Sequence, residues 1–301
     1  MLEQTEGASF VFEPDNHFMF PYAFKAKRGL TGGYYPQPEG RGDASLYENL
    51  WLNAFALSRT GFLLSERARR KAARSMLRAA GERNIWRSFN SPKSLSPRLR
   101  LAEALAVPER PIEPTPHVLV KSVYVPNAAE WVADLVGAQV LIVLRDLRDT
   151  VSSWVQLGWL GTSGEDELAA SDPALQDELR RRFRVPPVSS ISSPIGQVTW
   201  LLGLFTLCLE EAARRHPEWQ VARHEDVVRN LPDSLRDLSA ALGLHWTDRA
   251  ESAVAASRQA GHGFETRRLP EQVRDVWKSR LSAGQAAEVD AVLGMFPPGA
   301  G

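Results

Sequence analysis

The segment from Ala138 to Leu157, AQVLIVLRDLRDTVSSWVQL, constrains the fold more than any other part of the chain. Residues 140–144 form a continuous apolar run, which is typical of a strand buried on both faces of a parallel sheet. The run ends at Arg145, and Asp149 is the predicted N-cap of a helix that reaches Leu157. The segment therefore predicts a strand, a charged turn and a helix, and such turns lie at the sheet edge where ligands bind.

The residues of this turn are suited to an anion. The first amides of a helix and its dipole attract negative charge. Arg145 can bind a phosphate through two parallel N–H groups, and Ser153 offers a hydroxyl in the first turns of the helix. These features favour a nucleotide or phosphoester site. The alternative is a surface ion pair between Arg145 and Asp146 or Asp149.

These residues also carry a family resemblance. An Arg that ends an apolar strand, an R-D-x-R-D turn and a Ser eight residues after the first Arg resemble the 3′-phosphate-binding motif of sulfotransferases. Those enzymes use 3′-phosphoadenosine 5′-phosphosulfate (PAPS). The resemblance implies that Arg145 and Ser153 bind the 3′-phosphate of this donor. It also implies that residues 1–301 form one α/β domain, a parallel sheet flanked by helices, similar to the P-loop nucleotide-binding class.

A second predicted strand, residues 117–125 (HVLVKSVYV), precedes a helix that starts at Asn127 and ends at residue 136. With the strand at 139–144 it forms a predicted βαβ unit, so the sheet is expected to be parallel. The resemblance implies that Lys121 lies near the nucleotide. A carboxylate at the sheet edge, such as Glu13, is the alternative partner of Lys121.

The C-terminal part contributes two further motifs. The segment TRRLPEQVRDVWKSRLS resembles the closing segment of the family, in which a basic pair and a downstream W-K precede the last helix. By this resemblance Arg267 and Arg268 bind the 3′-phosphate. HEDVV, after a predicted strand at 219–223, resembles the family's Y-E-D-L, and Glu225 and Asp226 are expected to fix the turn and cap the helix.

Glu13 is the candidate catalytic base. It follows a predicted buried strand at residues 9–12 in the sequence VFEPDNH, so it lies at the strand's carboxyl end, where a base can take a proton from an acceptor hydroxyl. Many carbohydrate sulfotransferases have a strand that ends in F-E-P or Y-E-P. The resemblance therefore implies a catalytic Glu13, with His17 as the second candidate. The alternative is that Glu13 only caps a turn.

Two segments are unusually basic. Residues 65–80 read as a helix with six cations, which suits a polyanion-binding face or a membrane-surface helix, although a solvated face is the alternative. Lys25, Lys27 and Arg28 lie in a predicted loop at residues 21–43. That loop is rich in Gly and Pro, and its basic side chains are expected to be solvated. The alternative is that they contact the donor or an acidic acceptor.

One family feature is missing. Sulfotransferases begin with a strand, a P-loop-like G-T or S-G-T-T-W turn with a basic residue, and a helix; the turn binds the 5′-phosphosulfate. Residues 1–9 hold no such stretch. In the family this strand lies between the strands that correspond to 117–125 and 139–144. The sequence therefore predicts an N-terminally incomplete domain, whose first strand and loop are missing. The competing hypothesis is a catalytically inactive relative that acts as a nucleotide-binding or interaction protein.

Composition excludes several classes of protein. Lys+Arg and Asp+Glu both number 36, so the net charge favours neither nucleic acid nor membrane as a partner. The first ten residues lack the features of a secretory signal, and the most apolar segment is shorter than the roughly 20 residues of a membrane span. A cytoplasmic protein is expected. A single cysteine, Cys208, excludes a disulfide within the chain and a cysteine-built zinc site.

The sequence thus predicts sulfuryl transfer from PAPS to a hydroxyl of a carbohydrate or a secondary metabolite. No metal is expected, because cations and amides of the enzyme can stabilise the charge on the leaving group. A P-loop kinase would need Mg²⁺ ligands and a G-K-[ST] loop, and neither is recognised in the sequence. The sequence indicates no oligomeric state.

Overall fold

The computed structural model describes residues 2–40, 42–56, 59–61, 64–90, 95–108, 110–113, 116–160, 180–257 and 275–297. The fold is α/β, with mostly helices and little sheet. The strands are β1 (Ala8–Phe12), β2 (Arg59–Gly61), β3 (Arg110–Glu113), β4 (His117–Lys121), β5 (Leu141–Leu144) and β6 (Gln220–Arg223).

The helices up to β5 are α1 (Pro21–Lys27), α2 (Ser45–Phe55), α3 (Leu64–Ala80), α4 (Glu82–Asn90), α5 (Pro97–Leu105) and α6 (Ala129–Val136). Those after β5 are α7 (Leu147–Gln156), α8 (Pro194–Arg215), α9 (His224–Arg229), α10 (Asp233–Ala241), α11 (Asp248–Ser257), α12 (Trp277–Arg280) and α13 (Ala283–Leu293). None of the helices in these described ranges is both long and apolar enough to span a bilayer.

The described residues fall into two compact units. The N-terminal unit lies within Ser9–Ala138 and Gly161–Ser192, and the C-terminal unit lies within Met1–Ala8, Gln139–Leu160 and Ser193–Gly301. Strand β1 pairs with β4, β2 with β3, and β5 with β6, each pair being a separate two-stranded sheet. The predicted order β4, α6, β5 is present. However, β4 and β5 belong to different two-stranded sheets, so the expected βαβ unit on one parallel sheet is not found among the described residues.

In the N-terminal unit, β1 and β4 run in the same direction. The Ser9 hydroxyl donates to the His117 carbonyl at 3.5 Å, and four residues later the Glu13 amide donates to the Lys121 carbonyl at 2.7 Å. Val11 packs into a core formed mainly by α1, α2 and α6; its buried members include Tyr22, Ala23, Leu50, Trp51, Ala128 and Val132. The prediction of a buried strand is correct for one face only, because alternate side chains point to opposite faces and Phe10 and Phe12 are each 43% exposed.

The segment predicted as a loop from residue 21 begins with a helix instead. Pro21 occupies the first turn of α1, where the missing N–H of proline costs nothing. Six of the seven residues of α1 are buried, and Lys27 is among them. The expectation of a solvated Lys27 is therefore wrong, because the helix turns this side chain into the unit.

In the C-terminal unit, β5 and β6 are parallel, in a register that runs from Leu141 opposite Gln220 to Leu144 opposite Arg223. Helix α8 packs against α7 and α13. Their common core contains Val151, Ile195, Val198, Leu281 and Val289. The prediction that β5 is buried on both faces is wrong at Val143, which is 55% exposed although Ile142 and Leu144 are buried. Alternate side chains of a strand point to opposite faces, and the described residues leave the face of Val143 open to solvent.

Candidate anion site and Glu13 turn

The turn after β5 is organised by Asp146. Its carboxylate accepts the amides of Arg148 and Asp149 at 2.8 and 3.3 Å, so Asp146 is the N-cap of α7. The prediction of Asp149 as the cap is wrong by three residues, because the helix starts one turn earlier. The Asp146 amide donates to Glu225 Oε1 at 3.0 Å. Glu225 therefore fixes the turn, as expected from the HEDVV motif.

Two other charged residues of the turn are bound to protein groups. Arg148 Nε donates to Asp290 Oδ1 at 2.7 Å. Asp149 is buried, its Oδ1 accepts the Trp277 amide at 2.9 Å, and burial raises the pKa of this carboxyl. These contacts attach α13 and α12 to the start of α7.

Arg145 has no comparable partner. It forms no ion pair with the residues that the structure describes, and its buried Nε has no hydrogen-bond acceptor among them. The alternative of a surface ion pair to Asp146 or Asp149 is not found. Burial, and then the positive charge of Arg145, lower the pKa of His224, so this imidazole is neutral near pH 7. Because no described carboxylate is bound to it, the Arg145 guanidinium is available to an anionic ligand.

Ser153 lies one turn after Asp149 on α7. Its hydroxyl donates to the Asp149 carbonyl at 2.9 Å and accepts a hydrogen bond from Arg280 Nη1 at 3.4 Å. Arg280 ends α12, the same short helix whose Trp277 amide binds Asp149. Two contacts from α12 therefore meet two successive turns of α7.

Arg280 is a residue that the sequence motif missed. The match to W-K ended at Lys278, but Lys278 is exposed and pairs with Asp275 at 3.0 Å. The signal that identifies Arg280 is its position three residues after Trp277, which places both on one side of a helix. Arg267 and Arg268, the predicted basic pair, lie outside the described residues.

Arg145, Ser153 and Arg280 are together called the anion site. Asp149 is the common neighbour of these residues. The positive charge of Arg145 opposes the rise in the Asp149 pKa, and the Asp149 carbonyl accepts the Ser153 hydroxyl. The Asp149 carboxylate binds the helix that carries Arg280. Two guanidinium groups and a hydroxyl are donors of the kind that bind phosphate. Arg145 also directly precedes the N-terminal cap of α7, where the helix amides favour an anion.

In the N-terminal unit, the turn after β1 holds Glu13 in an uncommon backbone conformation. Glu13 has φ 47°, in the left-handed region that non-glycine residues rarely adopt. Such a conformation costs about 1–3 kcal/mol and persists where surrounding contacts fix it. Here the Glu13 amide donates to the Lys121 carbonyl at 2.7 Å, and the Glu13 carbonyl accepts the Asn16 amide at 2.9 Å.

The Glu13 carboxylate is held on both oxygens. Oε1 forms an ion pair with the ammonium of Lys121, and Oε2 accepts the side-chain amide of Asn16 at 2.9 Å. The side chain is 9% exposed. Lys121 thus contacts Glu13, the alternative partner that the sequence left open, and its ammonium also lies 4.6 Å from the centre of the Phe12 ring.

Three ionisable groups behind this turn are completely buried: Asp15, His17 and Lys27. Both oxygens of Asp15 accept the Ser122 hydroxyl, at 2.8 and 2.9 Å, and the Lys27 ammonium donates to the Tyr34 carbonyl at 2.9 Å. Burial raises the pKa of Asp15 to about 6 and lowers that of Lys27 to about 8. The opposite charge of each opposes these shifts.

His17, the second candidate base, is enclosed by aromatic rings of Phe18, Tyr34 and Phe89, at centroid distances of 4.2, 4.7 and 5.5 Å. Neither ring nitrogen has a partner in the described part of the chain. Burial lowers the pKa of His17, so the ring is neutral. An imidazole with no exposed surface does not reach an acceptor in solvent, and Glu13 remains the better candidate.

Comparison of the chain with protein-family models, with curated proteins and with solved structures found no match. A functional assignment therefore depends on the anion site, on the Glu13 turn and on the motifs that carry them.

Proposed function

We propose that this protein is a PAPS-dependent sulfotransferase that acts on a hydroxyl acceptor. The observation that carries the proposal is the buried Nε–H of Arg145, which has no acceptor among the described residues and follows a strand at the start of a helix. An anion at this position would satisfy that donor. The resemblance of the R-D-x-R-D turn and Ser153 to the sulfotransferase motif makes the 3′-phosphate of the donor nucleotide the proposed anion.

The roles in the C-terminal unit follow from charge and hydrogen bonding. Arg145 and Arg280 would donate to the phosphate oxygens, and the Ser153 hydroxyl would turn from the Asp149 carbonyl toward the ligand. Hydrogen bonds to a charged group contribute about 1.5–3 kcal/mol each. By family resemblance, Arg267 and Arg268 would add to the same phosphate.

In the N-terminal unit, Glu13 would act, by the family resemblance, as the general base that takes the proton of the acceptor hydroxyl. Lys121 and Asn16 would orient the carboxylate, one on each oxygen. Positioned bases of this kind accelerate reactions by about 10²–10⁴. PAPS supplies the sulfuryl group and leaves as adenosine 3′,5′-bisphosphate.

A second candidate function is nucleotide binding without transfer. It is favoured by one observation: the Glu13 side chain is 9% exposed and both of its carboxylate oxygens are already bound, one by Lys121 and one by Asn16. Such a protein would use the same anion site, and Glu13 would have only a structural role.

Transfer of ³⁵S from labelled PAPS to a panel of phenols, amino alcohols and polysaccharides separates the two functions. A sulfotransferase labels at least one acceptor class, and Glu13→Gln lowers its kcat by about 10²-fold or more while adenosine 3′,5′-bisphosphate still binds. Binding of the bisphosphate without transfer to any acceptor would support the second function. Absence of both would contradict the anion site itself.

A further inference from the structure

Helix α3 has a cationic face with no function in the mechanism above. It has six cations and a single carboxylate, Glu66, which is buried. Glu66 shares the buried side of the helix with Ala73 and Leu77, and this helix packs against α5. The exposed surface of α3 therefore contains no acidic side chain.

Three of the cations form one stripe. Arg67, Lys71 and Arg78 are exposed, and at 3.6 residues per turn they fall within about 40° of one another around the helix and within about 16 Å along it. None of them forms an ion pair with the described residues. Like charges four residues apart destabilise a helix by about 0.2–0.5 kcal/mol, so the stripe does not serve the stability of α3.

The same helix is fixed to the turn of the candidate base. Both Arg70 and Arg74 donate to the Met19 carbonyl, Arg70 at 3.2 Å. The Asn16 side chain accepts the Met19 amide at 3.3 Å and donates to the Glu13 carboxylate at 2.9 Å. A chain of three hydrogen-bonded links thus joins the cationic helix to Glu13.

We propose that the stripe Arg67, Lys71 and Arg78 binds an anionic polysaccharide, and that this polysaccharide is the acceptor. The inference rests on the proposed function. A polysaccharide that bears carboxylates supplies both the charges that the stripe requires and the hydroxyls that a sulfuryl acceptor requires.

Two other polyanionic surfaces fit less well. A helix that lies on a membrane needs an apolar face toward the lipid, but the apolar side of α3 is packed against α5. Single-stranded nucleic acid is held by aromatic side chains that stack on bases, and α3 contains no aromatic residue. These surfaces are therefore competitors in the test.

The probe is a fluorescently labelled alginate oligosaccharide, titrated by anisotropy against the full chain. The triple variant Arg67→Gln, Lys71→Gln, Arg78→Gln should bind at least about tenfold more weakly, which corresponds to about 0.5 kcal/mol for each exposed charge. The matched control is Arg214→Gln, Arg229→Gln, Arg249→Gln, which removes the same number of exposed charges from the C-terminal unit and should bind within about twofold of the wild type.

Equal affinity of the triple variant and the wild type would overturn the inference, as would equal weakening by the control. Displacement of alginate by anionic vesicles or by DNA at lower charge concentration than by unlabelled alginate would overturn it as well.

Adenosine 3′,5′-bisphosphate binding is measured on the same samples and should be unchanged in both triple variants. If the bisphosphate fails to bind the wild type, the proposed function fails, whereas alginate binding still reports on the stripe alone. The single variant Lys71→Glu gives the same direction of change if the triple variant does not fold.

Discussion

Arg280 donates a hydrogen bond to the hydroxyl of Ser153, and the amide of Trp277, three residues earlier, donates to the carboxylate of Asp149. The two donors lie on one short helix and the two acceptors on successive turns of α7. This pairing places a second guanidinium at Ser153, the seventh residue of α7. Arg145, whose Nε has no acceptor among the described residues, directly precedes the cap of the same helix. In the proposed function one phosphate would be contacted by both guanidinium groups.

Arg280→Gln should weaken the binding of adenosine 3′,5′-bisphosphate by about 10- to 100-fold, because a charge-assisted hydrogen bond of about 1.5–3 kcal/mol is lost. Isothermal titration calorimetry measures this change. Lys278→Gln is the control on the same helix, because Lys278 is paired with Asp275 and should leave the affinity unchanged. A larger loss in the control than in Arg280→Gln would place the nucleotide elsewhere.

Lys121→Met should lower kcat while the dissociation constant of the bisphosphate stays the same, because Lys121 acts through the carboxylate of Glu13. Lys121→Arg should restore part of the activity, since a guanidinium can form the same ion pair. Steady-state kinetics with labelled PAPS and calorimetry with the bisphosphate provide the two measurements. A tenfold loss of bisphosphate affinity with unchanged kcat would instead assign Lys121 to the nucleotide, as the family resemblance implies.

The stability of the protein should rise between pH 8 and 10.5 because of Lys27. Its pKa is about 8 in the folded state and 10.5 ordinarily, so the unfolded chain binds more protons in this interval and unfolding becomes less favourable as pH rises. Across this interval the free energy of unfolding should rise by about 3 kcal/mol, at 1.36 kcal/mol per pKa unit. Urea unfolding at several pH values should show this rise in the wild type and its loss in Lys27→Met. The same slope in both proteins would mean that Lys27 is not buried.

Asp15 should have the opposite effect at lower pH. Its folded pKa of about 6 lies above the ordinary 3.8, so between these values the folded state keeps a proton that the unfolded chain releases. Stability is therefore expected to fall as pH rises from 4 to 6, and above pH 6 the Asp15 contribution should no longer change. In Asp15→Asn this contribution should be absent. A wild-type curve that matches the variant throughout this range would contradict the buried carboxyl.

The strand, turn and helix at residues 138–157 could be predicted because an apolar run and a cluster of charged residues are local signals. The sequence predicts the cap at Asp149 rather than Asp146, because both residues suit that role and only the backbone conformation decides between them. The environment of Lys27 could not be predicted. Its partners Tyr34, Tyr124 and Asp15 come from separate segments, and their meeting depends on the packing of α1.

In the candidate site, too, the locally encoded residues could be predicted and the contacts between distant segments could not. The strand, turn and helix pattern and the family resemblance predict Arg145 and Ser153, and the structure places both beside Asp149. Arg280 was missed because its contact with Ser153 spans 127 residues and matches no motif. The pairing of Lys121 with Glu13 was recognised only as an alternative, since two charges at one sheet edge indicate proximity but not which partner each one takes.

In the proposed function the anion site recognises a 3′-phosphate. Its most direct test is calorimetry of the full chain with adenosine 3′,5′-bisphosphate and with adenosine 5′-monophosphate, for the wild type and for Arg145→Ala. The bisphosphate should bind the wild type at least about tenfold more tightly than the monophosphate, and Arg145→Ala should remove this difference by abolishing the preference for the 3′-phosphate. Equal affinity of the wild type for the two nucleotides, or an unchanged preference in Arg145→Ala, would contradict the account.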